Sequence, residues 1–223
     1  MKKIISCVVL ACSLFAGTAS FAQLKNAGQA AATKKGDMIF DIGVGFIGNE
    51  YSYSSNNNYN SNNSFQLPTF SVSLQKAFWD DITIGGQISV NGGGTTYGDY
   101  SDGNGYYKKD IKNSQMNSYF TARGEYHFNR LIGLDPKFDL YAGALVGFSI
   151  SNQVSKYTDG WINPNGSGQG NNGPTTHKSS NIGANPVIGP FGGFRYYFAK
   201  NIGVYGEVGW AITAVRGGLV WRF

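Results

Sequence analysis

Eight times between Asp37 and Phe223 the sequence alternates apolar and polar residues one by one, the period of a β-strand whose two faces meet different surroundings. The first segment puts Met38, Phe40, Ile42, Val44 and Phe46 on one face and Asp37, Asp41, Gly43 and Gly45 on the other. The second sets Phe70, Val72 and Leu74 against Thr69, Ser71, Ser73 and Gln75, and the third sets Ile82, Ile84, Ile88 and Val90 against Thr83, Gln87, Ser89 and Asn91. Beyond residue 22 no apolar stretch is long enough for a membrane-crossing helix. If such a chain enters lipid, it must do so as a closed ring of strands, because only helices and closed barrels satisfy every backbone hydrogen bond there.

The fourth segment has Met116, Phe120, Ala122, Tyr126 and Phe128 opposite Asn117, Thr121, Arg123, Glu125 and His127; the fifth has Phe138 to Phe148 at even positions opposite Asp139, Tyr141, Gly143, Gly147 and Ser149. A sixth lies within Ile182 to Phe198, where Pro186 and Pro190 predict a bulge or a late start, since proline donates nothing to a ladder. The seventh sets Ile202, Val204, Val208 and Trp210 against Tyr205, Glu207 and Ala211, and the eighth sets Val215, Leu219, Trp221 and Phe223 against Arg216, Gly218 and Arg222. The number is even, and each segment is close to the roughly 9–11 residues a tilted strand needs to cross a bilayer. Connections at residues 78–81, 129–136 and 199–201 are short to moderate. Those at 48–65, 92–114 and 153–181 are long and rich in Asn, Ser, Gly and Tyr, and the last hairpin, near Ile212-Thr213, must be tight. The expected fold is all-β: an eight-stranded antiparallel up-and-down transmembrane barrel with short periplasmic turns and three long extracellular loops, and no helix stands out.

Residues 1–22 read as a secretory signal: Lys2 and Lys3, an apolar run from Ile4 to Phe15, and Ser20-Phe21-Ala22 as a cleavage site before Gln23. Cys12 follows a faint lipidation pattern, but the apolar run continues past it and the cleavage site lies beyond. Both cysteines, Cys7 and Cys12, fall in the signal, so the mature chain has no disulfide or thiol chemistry. Residues 23–36 are polar and Ala-rich without period, and read as a flexible periplasmic lead-in to a barrel over 37–223. The 18 basic residues less Lys2 and Lys3 leave 16 against 13 acids, a modest excess with no basic run, which gives nucleic-acid binding no support.

Period-2 patterning fits a soluble barrel with an apolar interior as well as a membrane barrel with an apolar exterior. Three features favour the second. The polar face carries Asp41, Arg123, Glu125, Asp139, Arg195, Glu207, Arg216 and Arg222. Aromatics pair near the short-turn ends, as Phe78 with Trp79, Tyr126 with Phe128, Tyr196 with Phe198 and Trp221 with Phe223, like a girdle at a membrane interface. The signal supplies the route to such a membrane. Charged residues are 14% of the chain, against about 25% in ordinary soluble domains.

The C-terminal run Val215-Arg-Gly-Gly-Leu-Val-Trp-Arg-Phe223 resembles the terminal strand by which outer-membrane proteins are recognised for assembly, with Val215, Leu219, Trp221 and Phe223 on the matching positions. The chain from Asp37 to Phe223 is similar in architecture to the small eight-stranded barrels of the OmpA-transmembrane-domain and OmpX type. That resemblance implies residence in the outer membrane of a Gram-negative-type bacterium. The implied partners are outer-membrane lipid, periplasmic chaperones and the barrel-assembly machinery. No OmpA-type periplasmic domain is expected, because the chain stops at the last residue of the expected barrel.

A barrel of eight strands is just wide enough for its own side chains to fill. Asp41, Arg123, Glu125, Arg195, Glu207 and Arg216 are therefore expected to neutralise one another inside. If Ile212-Thr213 form a two-residue turn, Glu207 faces Gly218 and Arg216 lies diagonally across the hairpin. His127 is expected as a satisfied interior group and His177 as a solvated loop residue. Asp99 to Asp110 lacks the ligand spacing of a calcium loop, and Asp102-Gly103 reads as a tight turn. No catalytic arrangement, metal site or cofactor is expected. Tyr53, Tyr59, Tyr100, Tyr106, Tyr107 and Trp161, set among Asn, Ser and Gly, form a possible binding surface for an unknown extracellular ligand. The functional expectation is a non-enzymatic outer-membrane barrel with a structural or surface-interaction role. A porin-like channel for small solutes and a soluble ligand-binding barrel are the alternatives.

Overall fold

The structure, a computed structural model, describes residues 32–46, 61–101, 106–161 and 173–223. The signal, residues 23–31 of the lead-in, Tyr53, Tyr59, and the Asp102-Gly103 turn lie outside these. The strands are β1 (Met38–Phe46), β2 (Ser61–Trp79), β3 (Ile82–Tyr97), the two-residue β4 (Tyr100–Ser101), β5 (Tyr106–His127), β6 (Phe138–Trp161), β7 (Thr175–Tyr197), β8 (Ile202–Gly209) and β9 (Val215–Arg222). Each pairs antiparallel with its neighbour in the order β3-β2-β1-β9-β8-β7-β6-β5, and β3 pairs with β5, which closes eight strands into a ring. β4 is a short hairpin arm on the tip of β5. The connection between β5 and β6 holds one helical turn, α1 (Asn129–Ile132), which the alternation does not reveal because it is too short to show a period. The buried Asn129 anchors it by accepting from the Leu140 amide at 2.9 Å.

The two faces settle which way the barrel is turned. Phe70, Val72, Leu74, Ile88, Phe120, Val146, Phe148, Val204 and Leu219 are exposed on the outer wall, whereas Asp41, Ser73, Gln75, Thr83, Arg123, Glu125, His127, Asp139 and Arg195 are buried within. Water would favour the reverse arrangement, and a hydrocarbon surround favours this one. Aromatic pairs ring the short-turn end: Phe40 with Trp221 (5.7 Å between centroids), Phe78 with Trp79 (6.2 Å), Tyr126 with Phe128 (5.0 Å) and Phe138 with Tyr196 (4.9 Å).

At the other end the strands run well past the point where alternation stops. β2, β3, β5, β6 and β7 have 19, 16, 22, 24 and 23 residues, while β1, β8 and β9 have 9, 8 and 8. Much of the three stretches expected as long loops is therefore continued sheet, standing above the ring with one side open. β7 crosses Pro186 and Pro190 unbroken, opposite Phe148 and Ala144, with neither the bulge nor the late start expected. The Pro190 carbonyl accepts from the Trp210 amide, so prolines of this parity turn their missing N–H away from β6; for Pro186, beyond the residues paired with β8, that side is the open edge of β7. Proline and the exposed Lys178 blunt an edge that would otherwise invite strand addition.

Three plugs fill the lumen. At the short-turn end, residues 32–36 are docked, not free: Ala32 and Thr33 are buried, Gly36 N donates to Ala77 O at 2.9 Å, and Lys35 N donates to Asp80 Oδ1 at 2.9 Å. At the long-strand end, the connection between β8 and β9 folds inward and seats Ile212 against Tyr119, Tyr141, Leu145, Val187 and Phe191. Charged side chains occupy the middle. Inward glycines make room for inward tyrosines: a Cβ on Gly193 would lie 2.6 Å from both Tyr141 Oη and Gly206 O, and one on Gly43 would lie 2.0 Å from Tyr205 Oη. Substituting Gly193→Val should therefore destabilise the barrel by about 1–3 kcal/mol through overpacking. A lower urea midpoint in detergent micelles, followed by tryptophan fluorescence, is the expected outcome; an unchanged midpoint would count against this packing.

Candidate functional site

Strand pleating delivers every second side chain of β1, β5, β6, β7, β8 and β9 to the same central volume. Carboxylates and guanidiniums alternate through it as one chain. Asp139 meets Arg195 (3.1 Å), Arg195 meets Glu125 (2.8 Å), Glu125 meets Arg123 (2.5 Å), Arg123 meets Glu207 (2.6 Å), Glu207 meets Arg216 (3.0 Å) and Arg216 lies 3.8 Å from Asp41. All six residues expected to form an interior network lie in this chain. Asp139, placed on the inward face by its sequence parity, is the seventh member. Its signal is the register itself, since Asp139 is directly opposite Arg195.

Glu207 likewise lies directly opposite Arg216, not opposite Gly218. The two-residue turn expected at Ile212-Thr213 is replaced by a longer connection in which Gly209 N donates to Ala214 O. The physical reason is the inward fold of Ile212, which needs more chain than a tight turn offers.

Neutral groups supply further partners, although Asp41 Oδ1 and the Nε atoms of Arg123, Arg195 and Arg216 are buried without a hydrogen bond among the described residues. Gln75 Nε2 donates to Glu125 Oε1 (2.9 Å), Arg123 donates to Gln87 Oε1 (2.6 Å), Tyr141 Oη donates to Glu207 Oε2 (3.2 Å), and Ser73 donates to Asp41. Each guanidinium also covers an aromatic face: Arg195 on Tyr141 at 3.8 Å, Arg123 on Phe191 at 4.2 Å, Arg216 on Tyr205 at 5.3 Å, and Arg222, at the short-turn mouth, on Tyr197 at 4.2 Å. Desolvated cations gain from such contacts.

His127 ends the chain. Its Nδ1 is 2.7 Å from Asp139 Oδ1, and Thr83 Oγ1 is 3.1 Å from its Nε2. An acid, an imidazole and a hydroxyl in this order have the outline of a nucleophilic triad. All three are buried, and Thr33 packs against them with its Oγ1 3.4 Å from His127 Nδ1. Among the described residues no group of three or more His, Cys, Asp or Glu could hold a metal. Between the charge chain and the Ile212 plug the interior leaves about 10 Å³, lined in part by Glu207, Arg216, Thr69 and Gln87. That is room for about one water molecule. Outside the lumen, at the short turn, burial raises the Asp81 carboxyl above its ordinary range even though Arg130 contacts it.

Of the aromatic residues expected on loops, the four among the described residues, Tyr100, Tyr106, Tyr107 and Trp161, are carried on strands or strand ends. Tyr106 and Trp161 are opposite one another with rings 5.4 Å apart, and Tyr106 Oη donates to Asp159 at 3.1 Å. Tyr107, one residue along, takes the other face, with Lys109 Nζ 5.1 Å from its ring. Tyr100 sits in β4. Among the described residues, Tyr107 therefore lies on the opposite face of the sheet from Tyr106 and Trp161. His177, expected in a loop, is on β7 and contacts Asp159 at 2.9 Å. Val215 and Leu219 lie exposed on the outer wall of β9, with Trp221 half-buried beside them and Phe223 exposed just beyond the strand. Phe223 exchanges backbone hydrogen bonds with Met38 (2.9 and 3.0 Å), so the last residue completes the seam with β1.

No family model matches the chain, and no curated protein matches it. Solved structures do. The attachment invasion locus protein Ail of Yersinia pestis is 13% identical with a TM-score of 0.41, over 85% of this chain and 99% of that one. A second structure of Ail, in complex with the heparin analogue sucrose octasulfate, gives 14% over the same shares. The N-terminal β-barrel domain of Pseudomonas aeruginosa OprF is 11% identical with a TM-score of 0.32, over 85% of this chain and 98% of that one.

Glu207 holds Arg123, Arg216 and Tyr141 at once, so Glu207→Ala leaves two buried guanidiniums short of a counter-charge. Removing one partner of such a pair costs about 3–5 kcal/mol. The melting temperature of the refolded barrel should fall markedly, and unchanged melting would refute a single connected network.

Proposed function

We propose that this chain is a non-enzymatic integral outer-membrane protein of a Gram-negative-type bacterium, a sealed barrel that anchors a projecting sheet at the cell surface. The observation that carries the reading is the inversion of the barrel: large apolar side chains outside, seven linked charges inside. The short turns, with their aromatic girdle, face the periplasm, and the long strands face outward. The plugs above and below the charge chain support a structural and surface-interaction role over a conducting one. Membrane lipid is the first partner. Val215, Leu219, Trp221 and Phe223 present the apolar terminal strand to periplasmic chaperones and the assembly machinery.

Membrane fractionation with gel migration before and after boiling is the direct test. A heat-modifiable band in the outer-membrane fraction is expected, whereas a soluble protein that migrates identically in both states would overturn the placement. Planar-bilayer recordings should show no discrete conductance steps; regular steps would favour the channel alternative. Deleting Phe223 removes both its side chain and the seam hydrogen bonds to Met38. The truncated chain should accumulate unassembled in the periplasm, and normal insertion would remove the assembly role.

A further inference from the structure

Three lysines stand side by side on the outer wall of the projecting sheet. Register places Lys112 of β5 opposite Lys156 of β6, and Lys156 opposite Lys178 of β7. All three are exposed, and none has a carboxylate within ion-pair distance among the described residues. Lys109, across the bulge that precedes Lys112, is opposite Thr158 and so extends the row on the same face. The nearest acid along the chain is Asp110, within the bulge itself.

Like charges directly opposite in a sheet repel at Cβ separations of about 5 Å. Anions set against the row would relieve that repulsion.

The rows beneath it define where those anions would be. Two residues down the strands are Ser114, Val154 and Ser180, and two further are Met116, Asn152 and Ile182. Met116 and Ile182 are strongly exposed and mark the top of the apolar belt on β5 and β7. No Asp or Glu occupies this face between belt and lysines. Four residues of strand are about 13 Å. At the tilt of about 45° usual for such barrels, the row stands about 9 Å above the belt, against a headgroup layer of about 5–8 Å per leaflet. Lysine stems can bend down along the wall and bring their ammonium groups to that depth.

We propose that Lys112, Lys156 and Lys178 form a binding row for the phosphate groups of outer-leaflet lipid headgroups. The inference rests on the membrane placement proposed above and adds the lipid chemistry that this wall selects. A juxtamembrane cluster of lysines attracts anionic headgroups, and spacing across adjacent strands lets one phosphate be shared by two ammonium groups.

The test uses the full chain refolded into phosphatidylcholine bilayers that contain a minor fraction of spin-labelled phosphatidic acid or spin-labelled phosphatidylcholine. Electron spin resonance then reports the lipid held at the barrel wall. The wild-type protein should hold phosphatidic acid several-fold over phosphatidylcholine, and salt should weaken the preference. The triple variant K112Q/K156Q/K178Q should lose it, whereas K34Q/K35Q/K137Q, altered at the short-turn end, should keep it. Absence of preference in the wild type overturns the proposal. So does its survival in the first variant, or a lysine-dependent capture of heparin in detergent without lipid selectivity. Heat-modifiable migration of the same samples reports insertion separately: a barrel that inserts but shows no preference sinks only this inference, and a chain that never inserts sinks the membrane reading with it.

Discussion

A charge sealed inside a ring of strands has nowhere to go. The inward arginines and carboxylates sit where water is scarce, and an isolated charge there costs several kcal/mol. Strict alternation along the chain from Asp139 to Asp41 offsets part of that cost at each step and also pins the geometry. Asp139 matches Arg195, and Glu207 matches Arg216, only in the native register of their hairpins. A slip of one residue would turn those charges out into the apolar belt and the belt residues into the lumen. The network thus selects one arrangement of the strands as much as it stabilises it. The aromatic faces beneath Arg123, Arg195, Arg216 and Arg222 hold each guanidinium in place while it does so.

What could be read from the sequence follows the same physics. Where the outer wall meets an apolar surround and the inner wall meets charge, the contrast is written at every residue, so the strand cores, the inward Asp41, Arg123, Glu125, Arg195, Glu207 and Arg216, and the aromatic pairs were all legible. The contrast fades where both faces are wetted. Ser114, Ser155 and Ser180 are strand residues in the structure, yet they read as loop, because hydrogen bonding between neighbours needs no hydrophobic pattern. Pro186 and Pro190 mislead for a related reason: whether a proline breaks a strand depends on which side its nitrogen faces, and that depends on partners far away in sequence. Thr33 and Ile212 were invisible as plugs, since single residues that turn into a lumen carry no period.

One strand in this molecule serves two solvents. In β6, Ala142 to Phe148 present an apolar wall, whereas Asn152 and Lys156 on the same face are built for polar contact. The position of the change along β5, β6 and β7 is consistent among neighbours, which places one boundary across three strands. The projecting sheet is held by the same ladders as the barrel, so it is a stiff extension of the ring, and its free edge on β7 is guarded by proline and lysine. Display without edge-to-edge association is the behaviour such an edge favours.

The lead-in segment has a kinetic consequence. Arg222 donates to the carbonyl of Ala32, a partner 190 residues away, and Thr33 reaches the imidazole of His127. The segment therefore has no complete binding place until β5 is in position and β9 has arrived. Contacts of such long sequence separation form late, after the entropy of closing the intervening chain has been overcome. The segment closes as a latch under a barrel already assembled, and its release would open the short-turn end without parting any strand from its neighbour.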